Sequence, residues 1–521
     1  MIYFDNGATT FPKPISVRRS INEAMLDYGA NPGRSGHKMS VKSSEIMFSC
    51  RENAAKLFGS ENPENVIFTL NCTSALNTVI KGILKPGDHA VISSFEHNAV
   101  VRPLEALKKN KIEYSVAKCV PYDDEQTIEN FRNEFRPNTK LVICTHASNV
   151  FGIKFPVERI GALCRLNGIL FCVDAAQSAG TVDINLSDSS IDFLCTAGHK
   201  GLYGPMGTGL LIINSETTPD SLIQGGTGSD SANLNQPEIL PDKYESGTPN
   251  LPGIAGLNAG IKFVLNRKPN EIYNSELNLA KMLYERLEKT ENVILYTQMP
   301  EKEHSVPVIS FNINGAESET VAKILNDNYN IAVRAGLHCA PLAHRSLNTQ
   351  DTGTVRAVVS AFTSKNDVIY FANAVSRISK SNKLKKTIYQ YIDLWQLGEE
   401  FRNWFEEACG VYATLVDRIV PGFPRKDIDA IKEKLQYNDN LVVQAEIFHL
   451  WVIEAPQEIA NEFPADKAGL NVLFVPSEAP YHERKVTLLN GPHTVLSPVA
   501  FLSGIDIVRD ACQDEVIGKY I

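Results

Sequence analysis

Ile169-Leu-Phe-Cys-Val-Asp174-Ala-Ala-Gln177, followed some way on by His199-Lys-Gly-Leu-Tyr-Gly-Pro205, decides how this chain is read. The first stretch is an apolar run of strand length that ends on an acid and an amide. The second is a glycine-rich loop that brings an amine into a crowded turn. Short apolar runs of the same kind stand on either side, at Asn65 to Thr69, His89 to Ser93, Lys140 to Cys144 and Gly209 to Ile213. Helically spaced segments lie among them at Lys42 to Phe58, Ser74 to Ile83 and Val157 to Leu166. Strand and helix patterns in alternation predict an α/β fold, a mostly parallel sheet with helices on both faces. A shorter α+β pattern follows, with strands at Val306 to Ile313 and Thr354 to Ala361 and helices at Ser318 to Asn326 and Lys365 to Ser379.

The length of 521 residues predicts about three domains at roughly 150 residues each. With 43% hydrophobic and 21% charged residues, disorder is excluded as the main state. Lys plus Arg number 51 against 60 Asp plus Glu, a formal charge of -9, so no global basic field is available for nucleic acid or an anionic membrane. A small-molecule partner is expected instead. The first residues carry no basic head or long apolar stretch, and no run of ~18 apolar residues occurs, which predicts a soluble, cytoplasmic protein. The ten cysteines form no C-x-x-C pair, so neither a metal site nor a disulfide framework is expected. Most should be buried.

In an open parallel sheet, ligands bind beyond the carboxyl ends of the strands. The residues following each apolar run are polar: Cys72-Thr73-Ser74, Glu96-His97-Asn98, His146-Ala-Ser-Asn149, Asp174-Ala-Ala-Gln177 and Gly198-His199-Lys200. Thr73 and Ser74 open a helix whose free amides suit an anion, although alone they would pass for an ordinary N-cap. Asp174, driven against the crevice floor, needs a cationic partner such as a protonated ring nitrogen. Lys200 offers an amine and His97 a flat ring. Together they meet what pyridoxal phosphate requires: an amine for its aldehyde, an acid for its ring nitrogen and a site for its phosphate.

The sequence resembles the class V aminotransferases, fold-type-I pyridoxal-phosphate enzymes, and within them the cysteine desulfurase and selenocysteine lyase group. The likeness covers residues 1 to about 380, through Tyr3-Phe-Asp-Asn-Gly-Ala-Thr-Thr10, Asn31-Pro-Gly-Arg-Ser-Gly-His37, Tyr244-Glu-Ser-Gly-Thr-Pro-Asn250 and Arg334-Ala-Gly-Leu-His-Cys-Ala340. It implies that Lys200 carries the cofactor, Asp174 pairs its ring nitrogen and His97 stacks on its ring. Gln177 and Asn149 would contact the ring-oxygen side, and Thr73, Ser74 and His199 the phosphate. Thr248 matches a threonine that completes the phosphate site of a partner subunit, which implies a homodimer. Cys339 matches the nucleophile that accepts sulfur from L-cysteine, or selenium from selenocysteine, before a sulfur-acceptor protein takes it; His338 and Arg334 would favour its thiolate. Arg356 matches the arginine that clamps the substrate carboxylate with its bidentate fork, with Asn149 nearby.

The likeness also implies a large domain over 15–265 and a small one from 1–14 and 266–380. Two departures stand out. Relatives carry Ser or Thr where this chain has Ala197, with Thr196 beside it, so one phosphate hydrogen bond is expected to be lost. Beyond Arg356 the text reads Ala357-Val358 and Phe362-Thr363-Ser364 where relatives carry Ser and then Tyr/Phe-Asn-Thr.

The polar, basic stretch Lys380-Ser-Asn-Lys-Leu-Lys-Lys386 reads as a junction. Beyond it, over 384–521, the text turns mostly helical and resembles the long-chain mannitol dehydrogenases, tagaturonate (altronate) reductases in particular. The likeness is carried by Leu415-Val-Asp-Arg-Ile-Val-Pro421, Phe448-His-Leu-Trp-Val-Ile-Glu454, Ala468-Gly-Leu-Asn-Val-Leu-Phe474 and Lys485-Val-Thr-Leu-Leu-Asn-Gly-Pro-His493. Lys485, Asn490 and His493 fit that family's alcohol-handling array. No G-x-G-x-x-G turn lies between 384 and 521, so NAD-dependent oxidoreduction is the less favoured reading, and the segment reads as a truncated, vestigial domain joined to a complete one. Such a fragment would expose an apolar surface and bind a protein, self-associate or fold poorly. Three enzymatic readings follow: a cysteine desulfurase or selenocysteine lyase, another class V reaction in which Cys339 is incidental, and the oxidoreductase.

Overall fold

The computed structural model describes residues 1–33, 36–229, 231–409, 413–417, 428–435, 450–475 and 481. It divides into two compact units, 1–379 and 380–521.

The strands of the first unit are β1 (Ile2–Tyr3), β2 (Val66–Thr69), β3 (His89–Ser93), β4 (Glu113–Ala117), β5 (Thr139–Thr145), β6 (Leu170–Asp174), β7 (Phe193–Ala197), β8 (Gly209–Ile213), β9 (Val293–Leu295), β10 (Val308–Ile313), β11 (Ile331–Ala332) and β12 (Val355–Val358). The helices are α1 (Ile15–Leu26), α2 (Lys38–Phe58), α3 (Cys72–Ile83), α4 (Asn98–Leu107), α5 (Asp124–Asn133), α6 (Val157–Leu166), α7 (Leu251–Arg267), α8 (Pro269–Glu288), α9 (Ser318–Tyr329), α10 (Pro341–Ser346) and α11 (Lys365–Leu394).

Seven strands form one sheet in the order β2-β8-β7-β6-β5-β3-β4. β8 runs antiparallel to both neighbours and the other pairings are parallel. Because side chains alternate across a strand, continuous apolar runs feed two cores at once. Val91, Val142, Phe171, Val173 and Leu194 enter one core, shared with α6 and α7. Ala90, Ile92, Ile143, Cys172 and Cys195 enter the other, beneath α3 and α4. A third core lies in the smaller α+β layer, where Phe4, Leu283, Phe311, Val355 and Phe371 pack together. There β12-β10-β9 form an antiparallel sheet and β1 pairs with β11 in parallel.

α11 departs from the expected end at Ser379 and runs through Lys380–Lys386 to Leu394. The stretch read as a junction contains Lys, Leu, Asn and Ser but no Gly or Pro, and lysine and leucine favour the helix.

The second unit, described in part, holds α12 (Gly398–Ala408), α13 (Ile428–Leu435) and α14 (Ile459–Glu462). It also holds a sheet, β13 (Ala413–Asp417), β14 (Leu450–Glu454) and β15 (Val472–Val475), in that order. β13 pairs antiparallel and β15 parallel to β14. That sheet is an addition to the mostly helical expectation, and its runs, Leu-Trp-Val-Ile and Val-Leu-Phe-Val, are of β-branched and aromatic composition. Lys485, Asn490 and His493 lie outside the described residues. No described helix is long and apolar enough to cross a membrane.

Candidate active site

Three successive parallel strands, β5, β6 and β7, end at Thr145, Asp174 and Ala197, and the chain beyond each turns toward the starts of α3 and α4. A cavity of about 180 Å3 lies there, with Thr73, His97, Asn149, Asp174, Gln177, His199 and Lys200 among its walls. Seven residues chosen on chemistry from five separated segments thus share one cavity. Its wall also includes Ala197, the position that lacks the expected hydroxyl. Neighbouring Thr196 does not replace it, being fully buried with its hydroxyl directed at the Ala175 carbonyl, 3.5 Å away.

The helix cap differs from expectation. Asn71 caps α3, its Oδ1 accepting the Ser74 amide at 2.9 Å, so Thr73 and Ser74 lie inside the first turn. The first-turn amides have no intrahelical carbonyl and point, with the positive end of the helix dipole, where an anion would be stabilised. Ser74 itself faces an adjoining groove with Thr73 and Tyr244. An Asn before Cys-Thr-Ser is a local signal that could have identified the cap.

Asp174 is 5% exposed, and its Oδ1 accepts from the Ala176 amide at 2.9 Å and the Cys72 thiol at 3.4 Å. Among the described residues no cation pairs directly with it. Lys200 has its amine pulled below the ordinary lysine range by burial, with Asp174 opposing the shift. His97 caps α4, its Nδ1 accepting the Ala99 amide at 3.0 Å, which places the proton of the neutral ring on Nε2. Burial lowers its pKa. His199 is brought down to about 4 by burial, with Lys200 and Lys13 adding to the effect, and its buried Nδ1 has no partner. Beneath His97, Glu96 is fully buried and accepts from the Ser93 hydroxyl and the Thr145 amide; burial pushes it up to about 8.

The remaining candidates lie off this cavity's wall. Cys339 is exposed, whereas seven of the other described cysteines are buried and Cys409 is intermediate. Cys339 and His338 both adopt left-handed backbone, at φ 58° and 47°, a conformation that costs a non-glycine residue energy unless neighbours hold it. Two long-range bonds do so: the Cys339 carbonyl accepts the Asn98 amide at 2.8 Å, and the His338 carbonyl accepts from Asn149 Nδ2 at 2.8 Å. The Cys339 loop is therefore pinned next to His97 and Asn149. The expected electrostatic help from His338 is absent, because burial drops that ring to about 3 and leaves it uncharged. Arg356 is 2% exposed and already engaged, Nη1 donating to the Asn149 carbonyl at 2.7 Å and Nη2 to Asp5 Oδ1 at 2.9 Å. Thr248 is exposed on the surface. Asp5 lies in a quoted stretch of the sequence, yet nothing local singles it out, since its partner is 351 positions away.

Among the described residues no cluster of three or more His, Cys, Asp or Glu could hold a metal ion. The buried Asp174, with no cation paired to it among the described residues, the partnerless His199 nitrogen, the lowered Lys200 amine and the α3 first-turn amides fit pyridoxal phosphate: each supplies what one part of that molecule lacks.

Comparison with known proteins gives two separate likenesses. The aminotransferase class-V family matches residues 2–371, and the mannitol dehydrogenase C-terminal domain matches 479–521. A probable cysteine desulfurase of Pyrococcus abyssi is 34% identical over 396 residues, 73% of this chain and 95% of that protein. The apo structure of a cysteine desulfurase from Thermococcus onnurineus NA1 superposes with a TM-score of 0.67 at 33% identity, covering 73% of this chain and 94% of that one. An altronate oxidoreductase of Bacteroides thetaiotaomicron is 89% identical over 140 residues, 27% of this chain; the chain spans only 29% of that protein's length.

Proposed function

The chain belongs to the class V aminotransferase family, and from that premise we propose that residues 1–379 form a pyridoxal-phosphate-dependent cysteine desulfurase. The reading converts L-cysteine to L-alanine and leaves a persulfide on Cys339 for a sulfur-acceptor protein. The observation that carries it is the meeting of Lys200, Asp174, His97 and Thr73 in one cavity, with the only exposed cysteine among the described residues held beside His97.

Bound pyridoxal phosphate supplies an electron sink for the pair left when a Cα proton is removed. Lys200 would hold its aldehyde carbon and, once displaced by the substrate amine, take and return the Cα proton, a task helped by burial, which lowers the amine's pKa. Asp174 would keep the proton on the ring nitrogen, His97 would lie against the ring, and Gln177 with Asn149 would flank its oxygen. Thr73, Ser74 and His199 would hold the phosphate, and the exposed Thr248 would reach the phosphate of a second copy in a homodimer. Arg356 would orient the substrate carboxylate. Cys339 Sγ would give up its proton and bond to the substrate sulfur as the carbon–sulfur bond breaks; the pair of that bond would stay with the carbon fragment, which takes a proton and departs as L-alanine. No step is assigned to residues 380–521.

The reading is tested by assaying L-alanine and sulfide from L-cysteine with and without a thiol reductant. Cys339→Ala should abolish both products while retaining a visible cofactor absorbance that borohydride removes. Lys200→Ala should lack that absorbance altogether. Folded wild-type protein that never acquires the band after incubation with pyridoxal phosphate would end the proposal.

A further inference from the structure

Arg356 is more tightly engaged than a waiting substrate clamp needs to be. Its guanidinium is buried, Nη2 is paired to Asp5 at 2.9 Å, Nη1 is bonded to the Asn149 carbonyl at 2.7 Å, and Nε has no partner. Exposure within the ion pair is uneven: the Arg356 side chain is 2% accessible and that of Asp5 22%, so Asp5 is the solvent-side member. The main chain beside it lies directly along the guanidinium. A Cβ built on Gly7 would come within 3.1 Å of Arg356 Cζ and 3.3 Å of Nη2, a fit only glycine permits without displacement. That main chain is fixed from both domains, with Asn6 Nδ2 on the Val358 carbonyl at 2.8 Å and Gln177 Nε2 on the Gly7 carbonyl at 3.0 Å. Rotation of the Asp5 side chain into water is therefore the cheap way to free the arginine.

We propose that Asp5 is a resident competitor for the substrate carboxylate. In the free protein it holds donors of Arg356 that an amino-acid carboxylate requires, so each binding event exchanges one carboxylate for another and each release lets Asp5 return. This rests on the reading of Arg356 as the carboxylate clamp. Its physical logic has two parts. A desolvated guanidinium left unpaired between turnovers is costly, and Asp5 removes that cost. A ligand that binds only the Asp5-released form has its apparent affinity reduced by the fraction of protein in that form. The reduction applies to every carboxylate ligand, the product L-alanine included, and spares amines that carry no carboxylate.

The experiment uses the full chain loaded with cofactor, titrated calorimetrically with L-alanine and with ethylamine, which shares the amine and the carbon skeleton but has no carboxylate. Asp5→Asn keeps the shape and removes the charge. It should tighten L-alanine by about tenfold and leave ethylamine within about twofold, raising the ratio of the two affinities. Asp5→Ser, also uncharged, should raise the same ratio and serves if the asparagine variant folds poorly. A ratio unchanged or lowered in these variants overturns the proposal. Arg356→Gln separates the two levels of the argument. It should erase the wild-type preference for L-alanine, and if that preference survives, the clamp reading itself is wrong and the competitor fails with it.

Discussion

The body over 1–379 and the tail over 380–521 solve the problem of apolar surface differently. In the body, each central strand sends alternate side chains into two cores, so Phe171 and Leu194 are fully buried on one face and Cys172 and Phe193 on the other. In the tail, the described residues provide one small cluster around Ile453, Ala455, Ala465 and Val472. The end of α11 and the helix after it leave Leu394, Trp395 and Trp404 exposed at 70%, 65% and 53%. The tail is nonetheless 89% identical to its counterpart in the altronate oxidoreductase, against 34% for the body and the Pyrococcus abyssi protein. High identity to a part of another protein preserves residues, but only burial turns apolar residues into stability.

Four measurements sharpen or break this contrast. The largest effect is expected from the two thiols that are not buried among the described residues. Cys339→Ser should reduce desulfuration by roughly a thousandfold or more, as loss of a nucleophile does. Cys409→Ser, in the tail, should leave the rate within about twofold; a comparable loss there would mean that the tail takes part in the chemistry. Next come the cores. Phe171→Ala should lower body stability by about 3–5 kcal/mol in urea unfolding followed by the cofactor signal, the cost of deleting a buried aromatic. Ile453→Ala should leave that transition in place, and a shift of similar size would join the two regions into one cooperative unit.

A third measurement uses buried acids, which among the described residues belong to the body. Glu276 is 3% exposed, bonded to the Tyr203 hydroxyl at 3.1 Å, and pushed by burial up to about 8 from an ordinary 4.5. Folding therefore takes up protons between those two values. The stability this contributes is fully present below pH 4.5 and lost as pH rises through about 8. Glu276→Gln should flatten the fall in the body's unfolding free energy between about pH 4.5 and 8, an effect on the order of 1–3 kcal/mol once pH 8 is passed, with little change below pH 4.5. The smallest effect belongs to the surface: Arg132→Ala, which removes a 2.6 Å pair with Glu129 on exposed α5, should cost no more than about 0.5 kcal/mol.

Much of the body was legible because its signals are local. His89–Ser93 and Gly209–Ile213 are apolar runs bounded by turn residues, and they are strands with those limits. Asp174 stands out because it ends an apolar run, where a parallel sheet places its ligand site, and Lys200 because it lies in a glycine-rich loop. The signals that failed were local too, but outweighed. Lys380–Lys386 looked like a junction by charge, whereas helix propensity and the absence of Gly and Pro carried α11 through it. The hydroxyls of Thr73 and Ser74 are the conspicuous candidates for the cap, yet the side chain of Asn71 makes it.

Periodicity, turn chemistry and the order of polar residues after apolar runs are written along the chain, and from them alone follow the parallel sheet, the two-core sandwich and the set of residues at its carboxyl edge. Tertiary structure alone decided which charges those residues carry and what already occupies them. His338 is neutral because it is buried, the Cys339 loop is held by Asn98 and Asn149, and Arg356 is paired to Asp5. Protonation and pairing depend on desolvation and on distances of a few ångström between groups hundreds of positions apart, quantities that no local pattern of residues encodes.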